Sequence, residues 1–160
     1  MTTVGARMDK LIQEKHDDTY RTKGKLGEPT GCPDCGAVYH QGRWQWLESM
    51  PKDAQQQRCP ACQRIADKVP AGVVTISGEF FSVHREELLG LIKNIEAYEK
   101  QQHPLNRIMA MSEQAGGLEI TTTDVHLPRD IGVALEKAYD GELDFHYVDE
   151  SGQLRVYWQR

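Results

Sequence analysis

Two short runs, Cys32-Pro33-Asp34-Cys35-Gly36 and Cys59-Pro60-Ala61-Cys62, hold all four cysteines of the chain. Two residues separate the thiols within each run, and residues 36–58 lie between Cys35 and Cys59. A Cys-x-x-Cys turn aims two sulfurs at one point, so a pair of such turns supplies four ligands for a tetrahedral metal. Pro33 and Pro60 stiffen the two turns at matching positions, and Gly36 permits the conformation that turns amides toward the sulfurs. The pattern predicts a structural zinc held by Cys32, Cys35, Cys59 and Cys62. The spacing between the runs is slightly longer than usual, which calls for a long hairpin between them. Iron bound in a rubredoxin-like manner is an alternative for the same sulfurs. Two disulfides or a redox dithiol are the non-metal alternatives. The start of the chain is polar, with no apolar stretch of signal-peptide type. The expectation is therefore a cytoplasmic protein, with thiols kept reduced and free for metal.

The rest of the composition narrows the function classes. One small metal module and one ordinary domain fit in 160 residues. A hydrophobic content of 39% suits a soluble chain, and no run approaches a membrane span. The formal net charge of −5 argues against sequence-blind binding to naked nucleic acid, which needs a basic surface. The charge is uneven. Residues 1–70 carry 11 Lys+Arg against 9 Asp+Glu, a balance of +2, and residues 71–160 carry 8 against 15, a balance of −7.

Outward from the cysteines, residues 1–28 read as a flexible arm too poor in apolar groups to order itself. Lys10 to His16 is long enough for a turn or two of helix. Tyr20 is followed by Arg21, Lys23 and Lys25, a set suited to ordering on a partner. Residues 29–70 form the metal module. Between the cysteine runs, Ala37 to Leu47 predicts two strands turning at Gln41-Gly42, with Tyr39, Trp44 and Trp46 beside Arg43. This aromatic stripe has two readings: packing for a module with little else to bury, or a stacking platform for bases with Arg43 on phosphate or a base edge. His40 is not needed as a ligand when four cysteines close the tetrahedron.

Pro70 and Gly72 mark a boundary, and residues 71–160 read as a second, α+β domain. Val73 to Phe81 predicts a strand with a bulge at Gly78. Helical periodicity follows from His84 to Gln102, with Leu88, Leu91, Ile92, Ile95 and Tyr98 on one side. Arg107–Glu113 and Leu118–Thr123 read as a hairpin around Ala115-Gly116-Gly117. A second helix near 125–140 carries Leu127, Ile131, Ala134, Leu135 and Ala138, with Thr123 or Asp124 as cap and Gly141 as stop. Two alternating strands, 143–148 and 154–158, end the chain. The first six elements follow the ferredoxin-like β-α-β-β-α-β order, which predicts an antiparallel sheet with two helices on one face. The other face stays open for the metal module, RNA or protein.

No catalytic constellation emerges. Thr123, Asp124, His126 and Arg129 gather polar groups at a strand-to-helix junction that could hold an anion, but equally serve as cap and solvated charge. Nothing arranges them as base, nucleophile and oxyanion donors. The Gly-x-x-x-x-Gly-Lys-Ser/Thr phosphate loop is absent. The expectation is a non-enzymatic protein.

The strings CPDCGAVYHQGRWQW, CPACQRIAD, PAGVVTISGEF, HPLNRI and TTTDVHLPRDIGVAL resemble a family of short bacterial zinc-ribbon proteins from Gly24 onward. The family more often has alanine where this chain has Pro128. A weaker resemblance links Cys32, Cys35, Cys59 and Cys62, with the junction from Thr121 to Arg129, to the N-terminal zinc region of the archaeal and eukaryotic export adaptor of the large ribosomal subunit. That adaptor is longer and has more cysteines. The resemblance implies ribosome docking. Taken with Tyr20, Arg21, Lys23, Lys25, Arg43 and Trp44, it gives the expectation of a zinc-binding protein on structured RNA, most naturally the large ribosomal subunit. A protein-interaction adaptor with a structural zinc is the alternative.

Overall fold

The computed structural model describes Tyr20 and residues 26–160. The expected helix at Lys10–His16 and the basic residues Arg21, Lys23 and Lys25 lie outside the described residues. The first sheet is small. Its strands are β1 (Thr30–Gly31), β2 (Val38–His40), β3 (Arg43–Gln45) and β4 (Gln55–Gln56), in the order β3-β2-β1-β4. The β2–β3 hairpin turns at Gln41 and Gly42, both left-handed at φ 52° and 79°. That is the backbone a two-residue hairpin turn requires. Strands β1 and β4 pair in parallel, and at two residues each they leave no periodicity to read. Helix α1 (Pro60–Asp67) follows, with Cys59 at its N-cap and Pro60 in its first turn.

The larger sheet contains β5 (Gly72–Ser77), β6 (Ile108–Gln114), β7 (Gly117–Thr122), β8 (Glu142–Tyr147) and β9 (Leu154–Gln159). Helices α2 (Glu79–Val83), α3 (Arg85–Gln102) and α4 (His126–Tyr139) complete it. Val74 and Ile76, Leu118 and Ile120, and Leu154, Val156 and Trp158 form one core with Leu88 and Ile92 of α3 and Leu127, Ile131 and Leu135 of α4. Both long helices therefore cover the same face, as the periodicity predicts. The α+β class stands.

Three details differ from the sequence reading. The sheet order is β6-β7-β5-β9-β8, and β9 runs parallel to β5, so the sheet is mixed rather than antiparallel. The final hairpin does not simply extend the ferredoxin-like pattern. Strand β9 sits between β5 and β8 because its inward residues Leu154, Val156 and Trp158 are fully buried. Those of β8 are only half-buried, which suits an edge. Second, the predicted strand stops at Ser77. Gly78 turns to φ 108°, ψ 165°, and Glu79–Val83 is helical, which puts Phe81 in the core. The irregularity expected at Gly78 lies instead in β6, between Ile108 and Ala110. Third, Tyr98 leaves the buried side of α3 and is 65% exposed.

Gly78 is also where the chain passes closest to Arg160. A Cβ there would run into the Arg160 backbone, whose carbonyl accepts from Phe80 N–H. The conformation is one that only glycine adopts without strain, and other residues lose about 1–3 kcal/mol there. Gly78→Ala should lower the unfolding free energy by at least about that amount, read from urea melts. An unchanged midpoint would contradict this account of the turn.

Candidate metal centre

The two cysteine runs meet because each is built as a turn. Gly36, at φ 83°, lets its amide return to the Cys32 carbonyl at 3.0 Å, while Cys32 N–H donates to Ala37 O at 2.8 Å. On the other side Cys59 is the N-cap of α1, and its sulfur accepts from Cys62 N–H at 3.4 Å. Ala37 N–H donates to Cys35 Sγ at 3.5 Å, and Cys59 N–H to Cys32 Sγ at 3.2 Å. Each of these amides favours negative charge on sulfur. The Arg58–Asp34 ion pair, at 2.6 Å, ties the runs together at the surface.

All four Sγ atoms lie within 4.8 Å of one another, and none is in a disulfide. A tetrahedral zinc with Zn–S bonds of about 2.3 Å would hold its sulfurs about 3.8 Å apart. Cys35 Sγ and Cys59 Sγ are 3.8 Å apart. Cys32, Cys59 and Cys62 are buried and Cys35 is half-buried. The residues therefore fit a closed, four-sulfur structural site, the arrangement the cysteine spacing predicts. Without metal the sulfurs compete for protons. The hydrogen bond to Cys59 holds Cys35 down to about 4, and the same bond, with burial, pushes Cys59 up. Burial also raises Cys62. A divalent cation would relieve this competition by displacing the protons.

One member of the site was not singled out by spacing. The Arg107 guanidinium enters from the larger domain, and its Nη2 lies 3.2 Å from Cys59 Sγ, 3.4 Å from Cys62 Sγ and 3.8 Å from Cys35 Sγ. Burial works against its charge, but the sulfurs, Cys62 first, hold its pKa above the ordinary arginine value. Only the sequence order HPLNRI hinted at this segment, and no local rule connects an arginine to cysteines so far away in the chain.

The remaining residues singled out from sequence are dispersed. Trp44 is half-buried and packs on the cysteine cluster with Leu105, and it meets Tyr39 edge-on at 5.6 Å. Trp46 donates its indole N–H to Lys100 O at 2.7 Å, at the end of α3. The aromatic stripe thus serves packing and module-to-module contact. Arg43 is exposed at the hairpin. Tyr20 donates to Asp67 Oδ2 at 2.9 Å, with Arg64 over its ring at 4.3 Å.

At the strand-to-helix junction, Asp124 Oδ2 accepts from His126 N–H at 2.9 Å and Leu127 N–H at 3.2 Å. Thr123 is taken up by Leu105 and Arg107. The helix amides that would serve an anion are therefore filled by the chain's own carboxylate, and His126 and Arg129 flank a cap. The junction caps a helix, as its second reading has it.

These features define a four-cysteine metal-binding module fastened to an α+β sheet. No family model matches the chain, and no curated protein or solved structure matches it either. Among the described residues no helix is long and apolar enough to cross a membrane.

Two outcomes test this account. Trp44→Ala should cost about 2 kcal/mol in a thermal or urea melt, below the roughly 3–5 kcal/mol of a fully buried aromatic, because the ring is only half-buried. The second concerns Asp124. Burial, with Glu99 and Asp130 nearby, raises its carboxyl to about 7 against the two amide bonds that lower it. Between the ordinary value near 4 and the folded value, the folded chain holds a proton that the unfolded chain releases. Stability contributed by this group is therefore full at low pH and falls as pH rises from about 4 to 7. Asp124→Asn, which keeps an acceptor for the cap, should flatten that slope in melts taken across the range.

Proposed function

We propose that the sulfur cluster holds one structural Zn2+ and that the protein is a non-enzymatic adaptor docking a protein partner. The observation that carries this reading is the face of the five-stranded sheet opposite the helices, which no helix covers among the described residues. Register places Asp144, Tyr157, Thr75, Glu119 and Ser112 in one row across it, and His146, Arg155, Val73, Thr121 and Ala110 in the next. Tyr157 is 39% exposed on β9, between β5 and the edge strand β8. Glu119, Asp144 and Glu142 outnumber Arg155 on this face, which suits a partner with basic groups and repels phosphate. The zinc contributes to folding rather than chemistry, since a closed four-sulfur site leaves no open position for substrate.

The ribosome or structured-RNA reading draws support from Arg43, exposed beside the hairpin turn, and from the arm residues Arg21, Lys23 and Lys25 with Tyr20. The resemblance to the ribosomal export adaptor points the same way. Charge opposes it. In residues 26–70, Arg43, Lys52, Arg58, Arg64 and Lys68 are balanced by Glu28, Asp34, Glu48, Asp53 and Asp67. Trp44 and Trp46, the candidate stacking groups, are engaged in packing and hydrogen bonding.

Sedimentation of lysate in low and high salt, with two variants beside the wild type, separates the readings. The adaptor reading expects the protein in ribosome-free complexes that Asp144→Lys with Tyr157→Ala abolishes at unchanged melting temperature and zinc content. Co-migration with ribosomes that salt reverses, lost in Arg43→Glu but kept in the sheet-face variant, would replace it with RNA docking.

A further inference from the structure

A guanidinium is costly to bury unless it is paired with negative charge and its N–H groups find acceptors. Arg107 is 8% exposed, and its Nη2 faces three of the four cysteine sulfurs. Four thiolates around a divalent cation carry a net charge of −2. The fourth sulfur, Cys32, is served instead by the Cys59 amide. The charge that burial of Arg107 demands and the charge that a four-thiolate site leaves over are thus opposite in sign and in contact.

The arginine is also held firmly. Arg107 N–H donates to Thr123 Oγ1 at 2.9 Å, and Thr123 N–H donates to Arg107 O at 2.9 Å. The Thr123 hydroxyl reaches Leu105 O at 2.6 Å, and Leu105 packs on the cysteine cluster. Next in the chain, Ile108 N–H is held by Glu96 of α3. Arg107 therefore stands at a corner where α3, β6, the end of β7 and the start of α4 converge. All three sulfur contacts are made by Nη2, while the buried Nε finds no partner among the described residues, so the sulfurs are the acceptors this guanidinium has for its buried charge.

We infer that Arg107 is an outer-sphere partner of the metal centre, an N–H···S donor that offsets the charge of the four-thiolate site and fastens the metal module to the larger domain. The inference rests on the zinc reading of the cluster. Groups in this position orient ligands and tune how tightly metal is held. The metal is then a joint of the whole chain. Its loss loosens the β6–α4 corner as well as residues 29–70.

The test uses full-length Arg107→Met and Arg107→Lys. Arg107→Met should transfer zinc to a chromogenic chelator about 10–100-fold faster than wild type, with Arg107→Lys between them. In cobalt-substituted protein the sulfur-to-metal charge-transfer band should move to lower energy in Arg107→Met, because sulfur lone pairs lose a donor. A purely structural role would lower the melting temperature without moving that band. Should Arg107→Met fail to fold, the wild type still decides. In zinc-loaded protein the Arg107 guanidinium protons should be protected from exchange with water, and exchange at the rate of free arginine would overturn the inference. Wild-type protein with far less than one metal per chain would overturn both this inference and the zinc reading. A fully loaded wild type, with Arg107→Met matching it in release rate and cobalt spectrum, would overturn this inference alone.

Discussion

Four sulfurs gathered within 4.8 Å in a largely buried place cannot all be thiolates without a cation among them. The rest of the fold is arranged around that constraint. Two tight turns deliver the sulfurs, a helix start and three amides lean toward them, and an arginine from the other domain faces them. The module has almost no core of its own. Its small buried cluster is made of the cysteines and Ala61, with Trp44 and Leu105 against it, so metal binding takes the place of apolar burial.

The larger domain is stabilised differently. Its core is a layer of aliphatic side chains between one sheet face and two helices, closed at one end by Trp158, whose indole N–H donates to Asp140 O at 2.8 Å. Gly132 lets α4 approach the sheet, since a Cβ there would press on Val156 and Leu143. The two modules meet through Arg107, Leu105 and the Trp46–Lys100 hydrogen bond, away from the helix-free face of the sheet.

Local rules made much of this legible. Cysteine spacing picked out four sulfurs that come together, periodicity located α3 and α4 to within a residue or so, and Gln41-Gly42 and Gly36 marked turns that need positive φ. What stayed hidden depends on distance in the chain or on brevity. Five residues from Glu79 to Val83 are too few to tell a helix from a strand by period. The parallel pairing of β5 with β9 is a choice of neighbours, and no single segment encodes it. Arg107 carries no local mark of its place, because the sulfurs it faces lie in the other module. The aromatic stripe was equally readable as core or platform until the position of α3 gave Trp46 a partner.

The placement of β9 has a consequence for synthesis. Gly72 pairs with Leu154, so an inner strand of the sheet is the last element described along the chain. While the protein emerges from the ribosome, β5 can gain β7 on one side, but its other edge stays open until β9 arrives. That edge belongs to a strand carrying Val73, Val74 and Ile76, the kind of apolar, β-branched segment that recruits other chains. A product interrupted after α4 would retain all four cysteines yet display an unpaired inner strand. Pairing of β9 with β5, rather than assembly of the metal module, is then the event that removes this exposed edge.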